Sequence, residues 1–425
     1  MENVKDKLAE LKAIYEKYEY FDSKKIPLCA AETYVSPFVK QGLISKYEGK
    51  YISGYLGRDI NKDFIGSDYL EEILIFANKL AHELFGAKYN DFRCLTGMNT
   101  VALILMTLID KSKKILITDP SSGGHGSLPK LCDNFGIKYE SIPYNYEKMQ
   151  INYEELNKKI SSDDDISFLF FCQSDLIQPP DMSKIHITNN IGIIYDATQT
   201  LGLIAGKVLP NPLEYCNNIV LIGGTHKTFP SVTCGYVATN NEEYIKKLDK
   251  NISPNFLRNI QINNIVSVCL SMIEMLKFGK EYSRDIQKVS NKLGELLAKN
   301  NIKVKKIDEQ NFSLTHQIYI EVPEEKVDEL YFAFKLYGIS INKRKTKYVN
   351  GFRIGVQEIA RYDMIKHIPE LAKLIELIIL EPSNKFEIYT IIDNLSKFKS
   401  NRYAINEIFM ELEWLFLSTI LLTLQ

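Results

Sequence analysis

The sequence predicts an α/β protein: a mostly parallel sheet covered by helices on both sides, followed by a smaller α+β domain. Three observations carry this prediction. Short apolar runs at residues 115–117, 168–171, 193–195, 220–222 and 236–238 lack polar alternation, and strands apolar on both faces belong to sheets with helices on each side. Helical or loop stretches separate these runs, as β/α alternation requires. Beyond a long helical stretch at residues 263–300 the pattern alternates at 303–307, 316–322, 339–341 and 352–354, which reads as a half-exposed sheet in a second domain.

Taken in order, residues 1–20 form a charged amphipathic helix pattern with no basic segment ahead of an apolar one. No secretory leader is expected, and the protein is expected in the cytoplasm. Apolar residues recur at helical spacing at 69–85 and 101–108. The expected division is an N-terminal helical arm (1–45), a large domain (46–250), a small domain (251–382) and, after a break at Pro382, Ser383 and Asn384, a helical appendage (383–425). A chain of 425 residues, 45% of them apolar, can bury a large core in more than one domain. The apolar run at 414–424 is shorter than the roughly 18 to 20 residues of a bilayer span. It is expected to pack on the protein body or a neighbouring subunit, with no membrane partner.

A formal net charge of −1 gives no electrostatic reason to bind nucleic acid or an anionic membrane. The seven cysteines form no C-x-x-C pair, and several lie inside apolar runs, which reads as buried, reduced thiols. The six histidines lack ligand spacing, so no structural metal is expected.

The chemistry gathers at two strand ends. The run Ile219, Val220, Leu221, Ile222 breaks into Gly223, Gly224, Thr225 and His226 and delivers Lys227, while the run at 191–195 ends in Asp196, followed by Ala197, Thr198 and Gln199. Parallel neighbours would bring Asp196 and Lys227 together at the carboxyl edge of the sheet, where open α/β sheets bind ligands. That pair suits pyridoxal 5′-phosphate (PLP): a lysine holds the aldehyde as a Schiff base, and an acid keeps the pyridine nitrogen protonated so that the ring accepts electrons. A third element is the turn Thr96, Gly97, Met98 ahead of a helical pattern, because backbone N–H groups at a helix N-terminus favour a phosphate. Of the histidines, His125 and His226 lie in candidate site loops.

With these segments placed, the sequence resembles the serine hydroxymethyltransferase family of fold-type I PLP-dependent enzymes, from about residue 26 to about residue 361. Leu28-Cys29-Ala30-Ala31-Glu32-Thr33-Tyr34-Val35-Ser36-Pro37 is similar to the family's L-I-A-S-E-N-Y-V-S-P, and Glu83-Leu84-Phe85-Gly86-Ala87 to E-L-F-G-A. Ser122-Gly123-Gly124-His125 is similar to H-G-G-H, and Asp196-Ala197-Thr198-Gln199-Thr200-Leu201-Gly202-Leu203-Ile204-Ala205 to D-M-A-H-V-A-G-L-V-A. Thr225-His226-Lys227-Thr228 matches T-H-K-T, and Gly351-Phe352-Arg353-Ile354-Gly355 is similar to G-I-R-V-G.

The resemblance implies an aspartate aminotransferase-like fold in which Lys227 carries the cofactor, Asp196 pairs with the pyridine nitrogen and Thr96, Gly97 and Met98 form the phosphate turn. Arg353 would clamp the substrate α-carboxylate, a role suited to a planar fork of donors. Ser122, His125, Gln199, Gly224 and Thr225 are further cofactor-binding candidates, and His226 is a catalytic candidate. Ala31, Tyr55 and Phe64 are further candidate substrate contacts, and Glu48 aligns with the family's catalytic glutamate after a one-residue deletion. There are departures. Ser122 stands where a histidine stacks on the cofactor ring, and Gln199 where another histidine lies near it. A glutamine there resembles the cysteine desulfurase branch of the fold, in which it bonds the phenolic oxygen. Ala31 replaces a serine, and Ser253-Pro254-Asn255-Phe256 replaces a glycine-rich segment that a neighbouring subunit lends to the phosphate.

The expected activity is that of a PLP-dependent transferase on an α-amino acid, by making or breaking the Cα–Cβ bond in hydroxymethyl or aldehyde transfer. The folate-contacting loops are expected to be remodelled, and use of tetrahydrofolate stays open. Two alternatives also stay open: Cα–H chemistry of racemase, aminotransferase or desulfurase type, and a scaffold that kept the fold without the chemistry. A C2 homodimer or a dimer of dimers is expected.

Overall fold

The computed structural model describes residues 4–54, 63–187 and 191–407. The chain divides into two compact units. One consists of the chain up to Ala30 with Asp285–Arg402, the other of Ala31–Arg284 with the chain from Tyr403. The change-overs thus fall at residues 30, 284 and 402, where the sequence pattern suggested 45, 250 and 382. Two physical reasons account for the difference. The helix Ile262–Lys299 runs unbroken through residue 284. The chain after Arg402 then returns to the larger unit, where Ile405 N donates to the buried Glu274 carboxylate (3.1 Å) and the Tyr403 ring meets Phe278 and Tyr282.

The larger unit is built on seven strands: β1 (Tyr89–Asp91), β2 (Lys114–Ile117), β3 (Lys138–Ser141), β4 (Ile166–Phe171), β5 (Gly192–Asp196), β6 (Ile219–His226) and β7 (Pro230–Thr239). Their order across the sheet is β1-β7-β6-β5-β4-β2-β3. From β3 to β6 neighbouring strands are parallel, while β7 is antiparallel to both β6 and β1. The central strands are apolar because both faces are covered: Ile115, Phe170, Ile194, Val220 and Ile222 are completely buried. Each such side chain contributes about 1.5–3 kcal/mol by leaving water. β3 reads Lys-Tyr-Glu-Ser, an edge strand whose charges face solvent.

The parallel register sets the site. Asp196 pairs with Ile222, and β6 continues past that level to His226 before the chain turns. The helix Gly97–Leu108 packs over β6 and β7, and Gly235 on β7 makes room for it. An added Cβ at Gly235 would overlap Thr100 Oγ1 and lie 2.6 Å from both the Thr96 carbonyl oxygen and Cys94 Cβ. Gly235→Ala is expected to destabilise the larger unit by about 1–3 kcal/mol through overpacking, and to shift the turn at Thr96. Denaturant unfolding and retention of cofactor on dialysis check both effects.

In the smaller unit, β8 (Lys303–Val304), β9 (Gln317–Glu321), β10 (Asn342–Lys345) and β11 (Asn350–Gly355) form an antiparallel sheet in the order β8-β9-β11-β10. Ile339–Ser340 pairs in parallel with Ile26–Pro27 instead. The helix Val4–Lys24 has no buried residue, and Lys385–Leu395 forms the helix expected after Pro382. Ile262–Lys299 is long and apolar enough by composition to cross a membrane, but 72% of its apolar window is buried inside the protein. The run at 414–424 lies outside the described residues.

Candidate active site

The helix Gly97–Leu108 begins at Thr96, whose extended backbone lets its side chain accept from Asn99 N at 3.1 Å. That cap uses one first-turn donor and leaves the N–H groups of Gly97 and Met98, which a helix start cannot satisfy internally. Gly97 lies close against β6: a Cβ there would sit 3.2 Å from Gly224 N and 3.3 Å from Thr198 Oγ1. The approach to the turn is fixed by Arg93, which is fully buried. Its guanidinium bonds Asp91 (2.5 to 3.1 Å), Asp249 Oδ1 (2.5 Å) and the Gly54 carbonyl (2.5 Å).

Asp196 is held at both oxygens. Thr198 N donates to Oδ1 at 2.8 Å, and the Cys172 thiol donates to Oδ2 at 3.2 Å. Burial, reinforced by the Asp196 charge, pushes the Cys172 thiol well above its usual range, so the sulfur keeps its proton and stays a donor. Thr198 also accepts from Gly224 N at 2.8 Å, which joins the end of β5 to β6.

Lys227 and Asp196 share one cavity of about 340 Å³ with Thr96, Gly97, Met98 and His125. Gln199 and His226 line it too. Burial lowers the pKa of His125; the Lys227 charge lowers it further and Asp196 opposes this. Burial, then Lys227, lowers His226. Both imidazoles are therefore neutral at pH 7. The sequence reading had not singled out Cys172, Gln173, Ser174, Thr198 or Thr233, which also line the cavity. The strand-end rule that found Asp196 points equally to Cys172, since β4 is the next strand in the sheet.

Several expected residues stand elsewhere. Ser122 is buried with its hydroxyl on the Asp119 carbonyl (3.0 Å) and does not line the cavity. The left-handed Gly123 turn and the bridge between Gly124 and Gln173 deliver His125 instead. Thr225 is fully buried and its hydroxyl bonds the Val232 carbonyl at 2.6 Å. Alternation along β6 sends it to the face opposite His226. Gly224 acts through its backbone, donating to Thr198. Glu48 is exposed in an irregular turn, Ala31 is half-buried, and Phe64 packs on Tyr51 with ring centroids 4.4 Å apart; none of the three lines the cavity. Tyr55 lies outside the described residues. Arg353 belongs to the smaller unit, on β11, where its Nε and Nη2 donate to Asn342 Oδ1 at 3.2 and 2.8 Å.

The residues present fit PLP: a helix start for the phosphate, a carboxylate for the ring nitrogen and a lysine on the same cavity. Bound PLP supplies an electron sink next to the substrate α-carbon. Fold and site together define a fold-type I PLP-dependent enzyme.

The serine hydroxymethyltransferase family model matches residues 4–367, and the chain belongs to that family. A serine hydroxymethyltransferase of Sulfolobus acidocaldarius is 30% identical over 80% of this chain and 80% of its own length. That of Aeropyrum pernix is 29% identical over 88% and 87%. Among solved structures, L-threonine transaldolase from Pseudomonas fluorescens, in its internal aldimine state, has the same fold, with a TM-score of 0.88 at 21% identity over 99% of each chain.

Proposed function

We propose that the protein makes or breaks the Cα–Cβ bond of a β-hydroxy-α-amino acid without folate. The observation that carries this reading is the convergence of Lys227, Asp196 and the turn at Thr96–Met98 (residues 96–98) on one cavity, in a chain whose fold is shared by an enzyme named for transaldol chemistry on L-threonine. In this reading the ε-amine of Lys227 would hold the cofactor as a Schiff base. Asp196, oriented by its two donors, would pair with the ring nitrogen. The N–H groups of Gly97 and Met98 bind the phosphate. His125 and Gln199, which line the same cavity, are the candidates to contact the ring. Arg353, whose planar fork is oriented by Asn342 within the smaller unit, is the candidate group for the α-carboxylate. Substitution of Ala31 for the family's serine, with Ser253-Pro254-Asn255-Phe256 in place of a glycine-rich segment, supports a site remodelled away from folate.

L-Threonine is the diagnostic substrate, because retro-aldol cleavage yields glycine and acetaldehyde with no other reactant. Purified holoenzyme is expected to release both in equal amounts, at a rate that tetrahydrofolate does not change. Exchange of the α-proton or formation of a keto acid without glycine would overturn the reading. A glycine yield from serine that depends on tetrahydrofolate would overturn its folate part.

A C2 homodimer in the cytoplasm completes the proposal. The helix Val4–Lys24 supports the dimer: Val4, Leu8, Leu11, Tyr15 and Tyr18, at four-three spacing, are all at least 59% exposed. The reducing compartment is supported by the cysteines, six of whose seven side chains are buried.

A further inference from the structure

We propose that Gln173 selects substrates carrying a hydrogen-bond donor on Cβ, an inference that rests on the Cα–Cβ reading above. Gln173 follows β4 directly after Cys172, and its backbone is pinned by the bridge to Gly124. It is 9% exposed and lines the cavity beside His125. Its Oε1 is buried with no hydrogen-bond partner. A buried amide oxygen without a donor is costly, so an acceptor left open in a cavity wall calls for a donor that arrives with the ligand.

Elimination identifies that donor. Were the phosphate held at Gly97 and the ring nitrogen at Asp196 on β5, the other ring edge would be left for the β4 side of the cavity, where Gln173 stands. That edge carries a methyl group and an oxygen that is anionic in the resting holoenzyme, and neither donates. The α-carboxylate does not donate, and the α-amine is committed to replacing Lys227. Among the groups that the amino acid brings, a hydroxyl on Cβ is the donor that remains. The carboxamide cannot take the hydroxyl proton, so Gln173 discriminates and positions; it is not the base.

Amino-acid binding to holoenzyme, followed by the change in cofactor absorbance, tests this. L-Threonine and L-serine are compared with L-2-aminobutyrate and L-alanine, which lack only the hydroxyl. Gln173→Met, close in size, is expected to weaken the hydroxylated pair about 10-fold and the other pair by less than about 2-fold. Gln173→Asn draws the same acceptor back by one methylene. It should show the same selective loss to a smaller degree, and it serves if the methionine variant does not fold. Equal weakening of both pairs overturns the proposal. So does a shift in the absorbance-against-pH titration of the amino-acid-free holoenzyme, which would put the carboxamide on the ring oxygen instead. If wild-type protein binds threonine but releases no glycine, the Cα–Cβ reading fails; if it releases glycine while Gln173→Met discriminates like wild type, the inference about Gln173 fails alone.

Discussion

Lys227→Ala is expected to purify without covalently held cofactor and to lose amino-acid turnover by a factor on the order of 10⁴ or more. Lys227 lines the same cavity as Asp196 and the start of the helix Gly97–Leu108, and its charge is what further depresses the pKa of both His125 and His226. In the proposed reading, removing the amine removes the covalent anchor and a basic group of the cavity at once. The phosphate turn and Asp196 survive, so the variant should still bind PLP, more weakly and reversibly. Borohydride reduction followed by peptide mass mapping gives the decisive measurement. Wild-type protein should carry the reduced pyridoxyl group on the peptide containing Lys227, and the variant should carry none. A label on any other lysine would remove Lys227 from the centre of the site.

Asp196→Asn is the second large effect, a loss in turnover of about 10²- to 10³-fold with the cofactor still held. The side-chain shape is conserved, and Thr198 N can still donate at 2.8 Å to the remaining oxygen. What disappears is the negative charge. The amide nitrogen cannot accept from the Cys172 thiol as Oδ2 does at 3.2 Å, and it offers no counter-charge to a protonated ring nitrogen. In the proposed reading electron withdrawal from the α-carbon then weakens, while Lys227 remains to anchor the cofactor. A cofactor analogue methylated on the ring nitrogen carries its positive charge permanently. It should restore part of the lost turnover to Asp196→Asn and none to Lys227→Ala, which separates the two roles.

The parts of the fold that were legible are those that burial dictates. Five apolar runs became strands because both faces of the central sheet are covered. β1, β3 and β10 were not legible. They are short, lie at sheet edges and carry polar sequences such as Asn-Lys-Arg-Lys in β10, so no hydrophobic period marks them. The site divides similarly. Lys227 and Asp196 were legible because strand ends announce themselves where an apolar run stops. Which residue of Ser122-Gly123-Gly124-His125 turns inward is set by the positive φ at Gly123 and by a bridge to Gln173, far along the chain. A residue-by-residue resemblance carries neither. Thr225 shows the converse: it is next to the site in sequence and on the wrong face in space.

The buried charges around Arg93 constrain how this sequence can change. One guanidinium there is shared by Asp91 and Asp249, all three side chains being at most 3% exposed. Losing the arginine first would leave two buried carboxylates without their shared cation, at about 3–5 kcal/mol, a large share of the roughly 5–15 kcal/mol by which folded proteins are stable. Losing Asp249 first still leaves the arginine a partner in Asp91. Replacement of the cluster by apolar residues is therefore open through the acids and closed through the base, and lineages descending from this enzyme should shed these charges in that sequence or keep all three.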